Sequence, residues 1–120
     1  MHLLLIGSKE KAAEYLPMLS EYQEHFTFID TPDMIEMHEH PTRALKEKPN
    51  SSISLGFGLL AKEKADAFIS AGNTGAMMVG SMYSVKTIDG ILRPAIISPI
   101  PRPDGGYNLL VDAEIGRASC

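Results

Sequence analysis

The sequence predicts an α/β protein in which a mixed sheet is flanked by helices. Three observations carry this. Short apolar or β-branched runs, Leu3–Ile6, Phe26–Ile29 and Ala67–Ile69, alternate with longer stretches that place apolar residues at helical spacing. Each run is closed by turn-forming residues: Gly7-Ser8, Asp30-Thr31-Pro32-Asp33 and Ser70-Ala71-Gly72. Near the far end, two strand-like runs are joined by a link too short for a helical crossover, which requires an antiparallel pair.

Composition narrows the class further. With 120 residues, 44% hydrophobic and 22% charged, the chain fits one small domain with a modest core. A net charge of -4 without a basic cluster gives no electrostatic reason to expect nucleic acid. No apolar run approaches the roughly 20 residues of a membrane span, and the start lacks the layout of a leader peptide. A cytoplasmic location is therefore expected. The single cysteine, Cys120, has no internal disulfide partner.

In order, His2–Ile6 reads as a strand, and Ser8 caps a helix over Lys9–Leu19 whose apolar face is Ala12, Ala13, Leu16 and Leu19. Phe26–Ile29 is the second strand, so the unit is β-α-β and its strands are parallel. The stretch from Met34 to Pro41 gathers Glu36, His38, Glu39 and His40. The i, i+2 histidine spacing and Pro41 match no metal-ligand pattern, so we read a solvated loop and expect no metal. Arg43–Lys48 is a charged helical turn. Within it Arg43 is a candidate anion contact, because a planar guanidinium suits phosphate.

Pro49-Asn50-Ser51-Ser52 starts a helix that carries Ile53, Phe57 and Leu60 and runs to about Lys64. Gly56 and Gly58 inside it each cost about 1 kcal/mol relative to alanine. They point either to close approach of backbone or ligand, or to tight helix packing. Ala65–Ser70 is the third strand.

It leads into Ser70-Ala71-Gly72-Asn73-Thr74-Gly75-Ala76, the best candidate for chemistry. Ser70, Asn73 and Thr74 supply side-chain donors, and Gly72 and Gly75 permit positive φ and close backbone approach. Asn73 or Thr74 caps a helix running to Val85, and an anion at that end gains from the dipole and from unsatisfied N–H groups. Neither GxGxxG nor GxxxxGK[ST] occurs, so a capped turn and a functional loop both stay open. Met77, Met78, Met82 and Val85 face inward, as core or as the lining of an acyl channel. Ala95–Ser98 and Tyr107–Asp112 form the antiparallel pair. Asp112 ends its strand where α/β sheets place ligands, a second candidate position. The chain reads as starting partway into a domain that covers residues 1–113, with 114–120 resembling an adapter-derived, non-native tail.

With these residues laid out, the chain resembles the PlsX-type phosphate acyltransferases of bacterial phospholipid synthesis. The resemblance rests on Ile35-Glu36-Met37, Pro41 with Arg43, Asn50-Ser51-Ser52, Ala65-Asp66-Ala67 running into Ser70–Ala76, Arg93-Pro94-Ala95, and Leu109–Ala113. Two departures stand out. The family's opening Asp-x-Met-Gly-Gly-Asp is absent, and Asp112-Ala113 runs into Glu114-Ile115-Gly116 where the family continues Gly-Ala-Asn. The resemblance implies a layered Rossmann-like fold of the isopropylmalate and isocitrate dehydrogenase kind, incomplete at both ends. It implies transfer of a fatty acyl group from acyl-acyl carrier protein to inorganic phosphate, giving acyl phosphate, with no cofactor. Asn73, Thr74 and Asp112 would be catalytic, and Ser70, Gly72, Gly75 and Arg43 would bind phosphate. The full-length protein would be a homodimer, peripheral on the inner face of the membrane, with a glycerol-3-phosphate acyltransferase acting downstream. The fragment by itself would be inactive. A phosphotransacetylase-like enzyme and a non-catalytic anion-binding module are the alternatives.

Overall fold

The computed structural model describes residues 1–91 and 94–111. The chain separates into two compact units, Met1–Lys86 and Thr87–Cys120. The first opens with strands β1 (Leu3–Gly7) and β2 (Phe26–Asp30), which pair in parallel from Leu3 beside Phe26 to Gly7 beside Asp30. The expected β-α-β unit is present, but its crossover differs from a single helix. Helix α1 covers only Lys9–Ala12, with the Ser8 hydroxyl accepting from the Lys11 N–H at 3.3 Å, and a 3₁₀ segment follows over Leu16–His25. Pro17 accounts for the break. An α-helix through it would lose a backbone N–H and drive the ring into the Ala13 carbonyl.

Three helices complete this unit: α2 (Pro41–Glu47), α3 (Ser52–Ala61) and α4 (Thr74–Ser84). The buried Ser51 caps α3, its hydroxyl accepting from the Ser54 N–H at 3.3 Å. The core lies between the three helices and consists of Ile35, Ala44, Ile53, Phe57 and Ala76, with Leu45, Leu60, Phe68 and Met77 packed against it. Phe57 and Phe68 meet edge to face, ring centres 5.2 Å apart at 80°. Burying a side chain such as Phe57 contributes about 2–3 kcal/mol.

Two helical glycines make this aromatic pair possible. A Cβ on Gly56 would sit 2.4 Å from the Phe68 ring, and one on Gly80 would sit 2.5 Å from the Phe57 ring. Gly56 therefore serves packing, whereas Gly58 would meet nothing within 4 Å. On α4, Met77, Met78 and Met82 are half-buried as the spacing suggests, but Val85 is exposed.

The third expected strand is not formed. Among the described residues β1 pairs only with β2, and residues 67–70 enter no ladder. A groove of about 1090 Å³ is lined on one side by β1 and on the other by residues 64–71. Ladder hydrogen bonds need a strand about 4.8 Å away, and the open groove leaves none beside this segment. Phe68 turns toward the helices instead, and Ile69 is 93% exposed.

The second unit contains the expected antiparallel pair, β3 (Ile97–Pro101) and β4 (Tyr107–Val111), with Ile97 beside Val111 and Pro101 beside Tyr107. Its turn is closed by the Arg102 N–H donating to the Gly106 carbonyl at 2.8 Å, with Gly105 at φ 84°. Asp104 pairs with Arg102 and accepts from the Gly106 N–H at 3.1 Å. Where the sequence reading expected a single mixed sheet, the described residues form one two-stranded parallel sheet and one two-stranded antiparallel sheet. Residues 65–70, the segment expected to extend the first sheet, form no ladder. No helix among the described residues is long and apolar enough to cross a membrane.

Candidate functional site

The glycine-bearing turn leads directly into α4, as the sequence suggests, and the capping residue is Asn73. Its side-chain Oδ1 accepts from the Ala76 N–H at 3.0 Å, and its carbonyl accepts from the Met77 N–H at 3.1 Å. Its amide Nδ2 donates to the Glu36 carbonyl at 2.8 Å and to the Glu39 carbonyl at 3.3 Å, and its own N–H meets the Met37 sulfur at 3.0 Å. The residue is only 5% exposed. Every polar atom of the side chain is therefore engaged within the protein.

The positive φ expected at the glycines belongs to Asn73, at 29°. Asparagine tolerates that side of the map better than most residues. Gly75 supplies the close approach instead, since a Cβ there would lie 2.5 Å from Cγ of Pro41, the first residue of α2. Gly72 does neither. Its φ is not positive and a Cβ would meet nothing within 4 Å, but its N–H donates to the Ser70 hydroxyl at 3.2 Å.

The first two N–H groups of α4, those of Thr74 and Gly75, meet no hydrogen-bond acceptor among the described residues. Thr74 is exposed and brings its hydroxyl to the same end. Two N–H donors, a threonine residue and the positive end of an 11-residue helix thus share one end of α4. The arrangement suits an anion.

Ser70, Gly72, Asn73, Thr74 and Gly75 are brought together in this turn. Arg43 is not joined to them. It lies on α2 with its side chain 77% exposed and paired to Glu47 at 2.8 Å, which holds its pKa above the usual value. The shallow hollow it lines with His40, Thr42, Lys46 and Glu47 contains none of the turn residues. Asp112 lies outside the described residues, as do Arg93 and the 114–120 tail.

Sequence reasoning missed the loop that faces the turn. The stretch read as solvated, Met34 to Pro41, supplies the two carbonyls, the sulfur and the proline ring that grip Asn73 and Gly75. Lys48 ties that loop down, donating to the Met34 carbonyl at 2.8 Å and to Glu39 Oε2 at 2.7 Å. The same Oε2 accepts from the Glu36 N–H at 2.6 Å. Lys48 and that N–H hold the Glu39 carboxyl below its ordinary pKa. One signal was available: an asparagine cap uses a single oxygen, so its two amide donors require acceptors nearby.

Comparison with known proteins gives the same grouping of residues a family. A family model described as "Fatty acid synthesis protein" matches residues 1–118. A protein named phosphate acyltransferase from Chlorobaculum tepidum is 42% identical over 113 residues, covering 92% of this chain and 33% of that protein. Proteins of the same name from Legionella pneumophila (strain Corby) and Psychromonas ingrahamii are 38% and 36% identical, covering 100% and 93% of this chain. The chain spans about a third of the length of the curated relatives it matches. It belongs to the fatty acid synthesis protein family that matches nearly its whole length.

Proposed function

We propose that this chain carries the phosphate-handling part of a phosphate acyltransferase. The observation that supports it most is the pair of N–H groups at Thr74 and Gly75, which meet no acceptor among the described residues and open an 11-residue helix at an exposed threonine. In this reading the donors hold inorganic phosphate with one oxygen against the thioester carbon of an acyl-acyl carrier protein. That oxygen attacks the carbon, the C–S bond breaks, and the carrier leaves as its thiol after taking up a proton. The products are acyl phosphate and free carrier protein. Converging donors favour the reaction by fixing the nucleophile and by opposing charge that develops on oxygen. No cofactor enters the scheme.

Asn73 serves this site by aiming the helix end, while Thr74 and the Gly75 N–H touch the anion, and Gly75 lets α4 pack close against Pro41. Ser70 steadies the turn through Gly72, and Asp112 orients a neighbouring group. The full-length protein completes the layered Rossmann-like sheet, acts as a homodimer at the inner face of the membrane, and passes acyl phosphate to a glycerol-3-phosphate acyltransferase.

The test is consumption of acyl-acyl carrier protein by the full-length protein with and without inorganic phosphate. Phosphate-dependent release of carrier thiol is expected. Phosphate binding without turnover would instead mark a non-catalytic anion-binding module.

A further inference from the structure

The Met34–His40 loop is clamped from two sides by residues far apart in sequence. On one side Lys48 joins the Met34 carbonyl to the Glu39 carboxylate, and Glu39 closes back onto the Glu36 N–H. On the other side Asn73 is held by the carbonyls of the same Glu36 and Glu39. The two carbonyls that orient the cap of α4 therefore belong to the residues that Lys48 and Glu39 fix. Lys48 itself starts from a fixed point, since its carbonyl accepts from the Ser51 N–H at 3.1 Å and from the Ser54 hydroxyl at 3.0 Å.

We infer that Lys48 and Glu39 are positioning residues for the anion site, acting through Glu36 and Asn73 to set the direction of the Thr74 and Gly75 N–H groups. This rests on the phosphate-handling reading of that site. Neither side chain reaches the proposed ligand. A lysine suits the role because one ammonium can serve two acceptors at an angle set by the loop, with a third donor left for solvent. The pair is partly covered, at 33% and 24% side-chain exposure, so it also steadies the loop, and the phosphate KM separates positioning from stability.

The experiment uses the full-length protein. Lys48→Met removes both contacts while keeping the apolar stem, and is expected to raise KM for phosphate about five- to tenfold with a smaller effect on kcat. KM for the acyl carrier substrate should stay near wild type. Lys48→Arg keeps donors at that position and should restore most of the loss. Lys46→Met removes the same charge two residues away, on α2 and outside the clamp, and should leave phosphate KM unchanged. Combining Lys48→Met with Asn73→Ala should be no worse than Asn73→Ala alone, because both act through one loop.

A Lys48→Met protein with a lowered Tm but unchanged phosphate KM would overturn the inference, as would equal losses in the Lys46→Met control. Should the wild type show no phosphate-dependent turnover, the acyltransferase reading fails, and calorimetric titration with inorganic phosphate decides the clamp separately. Weaker binding by Lys48→Met than by wild type upholds it. Equal binding, or none by either protein, overturns it.

Discussion

Asn73 is the residue whose replacement most directly tests how the site is built. Asn73→Ala removes the cap on the Ala76 N–H, which costs about 1 kcal/mol. It also leaves the Glu36 and Glu39 carbonyls without their amide donor, about 1 kcal/mol for each hydrogen bond. Alanine at φ 29° adds up to about 1 kcal/mol of backbone strain, because it lacks the short polar side chain that lets asparagine adopt this conformation. The expected total is about 4 kcal/mol, reduced to about 3 where water reaches the exposed side of the Glu36 loop. Asn73→Gly loses the same hydrogen bonds but not the φ strain, so it should be the milder change by about 1 kcal/mol. Asn73→Asp keeps an oxygen for the cap but turns its second carboxylate oxygen onto the Glu36 and Glu39 carbonyls in a buried site, so it should be at least as destabilising as Ala. Urea midpoints of the full-length protein, followed by circular dichroism, give the ranking. If Ala proves as stable as Gly, or Asp clearly more stable than Ala, then φ and the amide donations do not govern this turn and the reasoning fails.

Other consequences can be checked in the same way. Gly75→Ala should lower Tm and raise KM for phosphate, since its Cβ lies 2.5 Å from Pro41 and α4 must withdraw to relieve the clash. Gly56→Ala and Gly80→Ala should each destabilise by about 1–3 kcal/mol through ring overpacking, whereas Gly58→Ala should be neutral or stabilising by up to about 1 kcal/mol; urea midpoints separate them. Acid should loosen the site. The Glu39 carboxyl is held below its ordinary value of 4.5, chiefly by Lys48 and the Glu36 N–H, with His38 adding a smaller pull. Its contribution is therefore present above that ordinary value and is lost as pH falls through the lower folded-state value. Phosphate affinity measured by titration should drop over that acidic range in the wild type, and the drop should be shallower in Glu39→Gln.

Much of the local order was legible in the chain because it depends on local chemistry. The parallel β1–β2 pair follows from two apolar runs separated by one crossover, and the starts of α3 and α4 follow from Pro49-Asn50-Ser51-Ser52 and from Asn73-Thr74, of which the structure uses Ser51 and Asn73 as caps. The crossover helix was overread because its apolar spacing is sound while Pro17 vetoes an α-helix there, a single-residue effect that periodicity does not weigh. Ala67–Ile69 has strand composition, yet a strand needs a neighbour at ladder distance, and β1 lies across an open groove. At the site, residue types pointed to the turn that leads into α4, but the contacts within it come from distant sequence. Met37 and Pro41 are more than 30 positions from the residues they touch, and nothing in either stretch alone marks the pairing. Positive φ was assigned to glycine on general grounds, whereas the tethers on Asn73 place it there instead.

The central claim is that Thr74 and Gly75, aimed by Asn73, hold inorganic phosphate for attack on an acyl thioester. The most direct measurement is acyl phosphate formation from acyl-acyl carrier protein and inorganic phosphate by the full-length protein, comparing wild type with the Asn73→Ala, Thr74→Ala double variant. Phosphate-dependent formation by the wild type, and a rate at least about 100-fold lower in the folded double variant, is the predicted result. Wild-type rates and wild-type phosphate KM in that variant would contradict it.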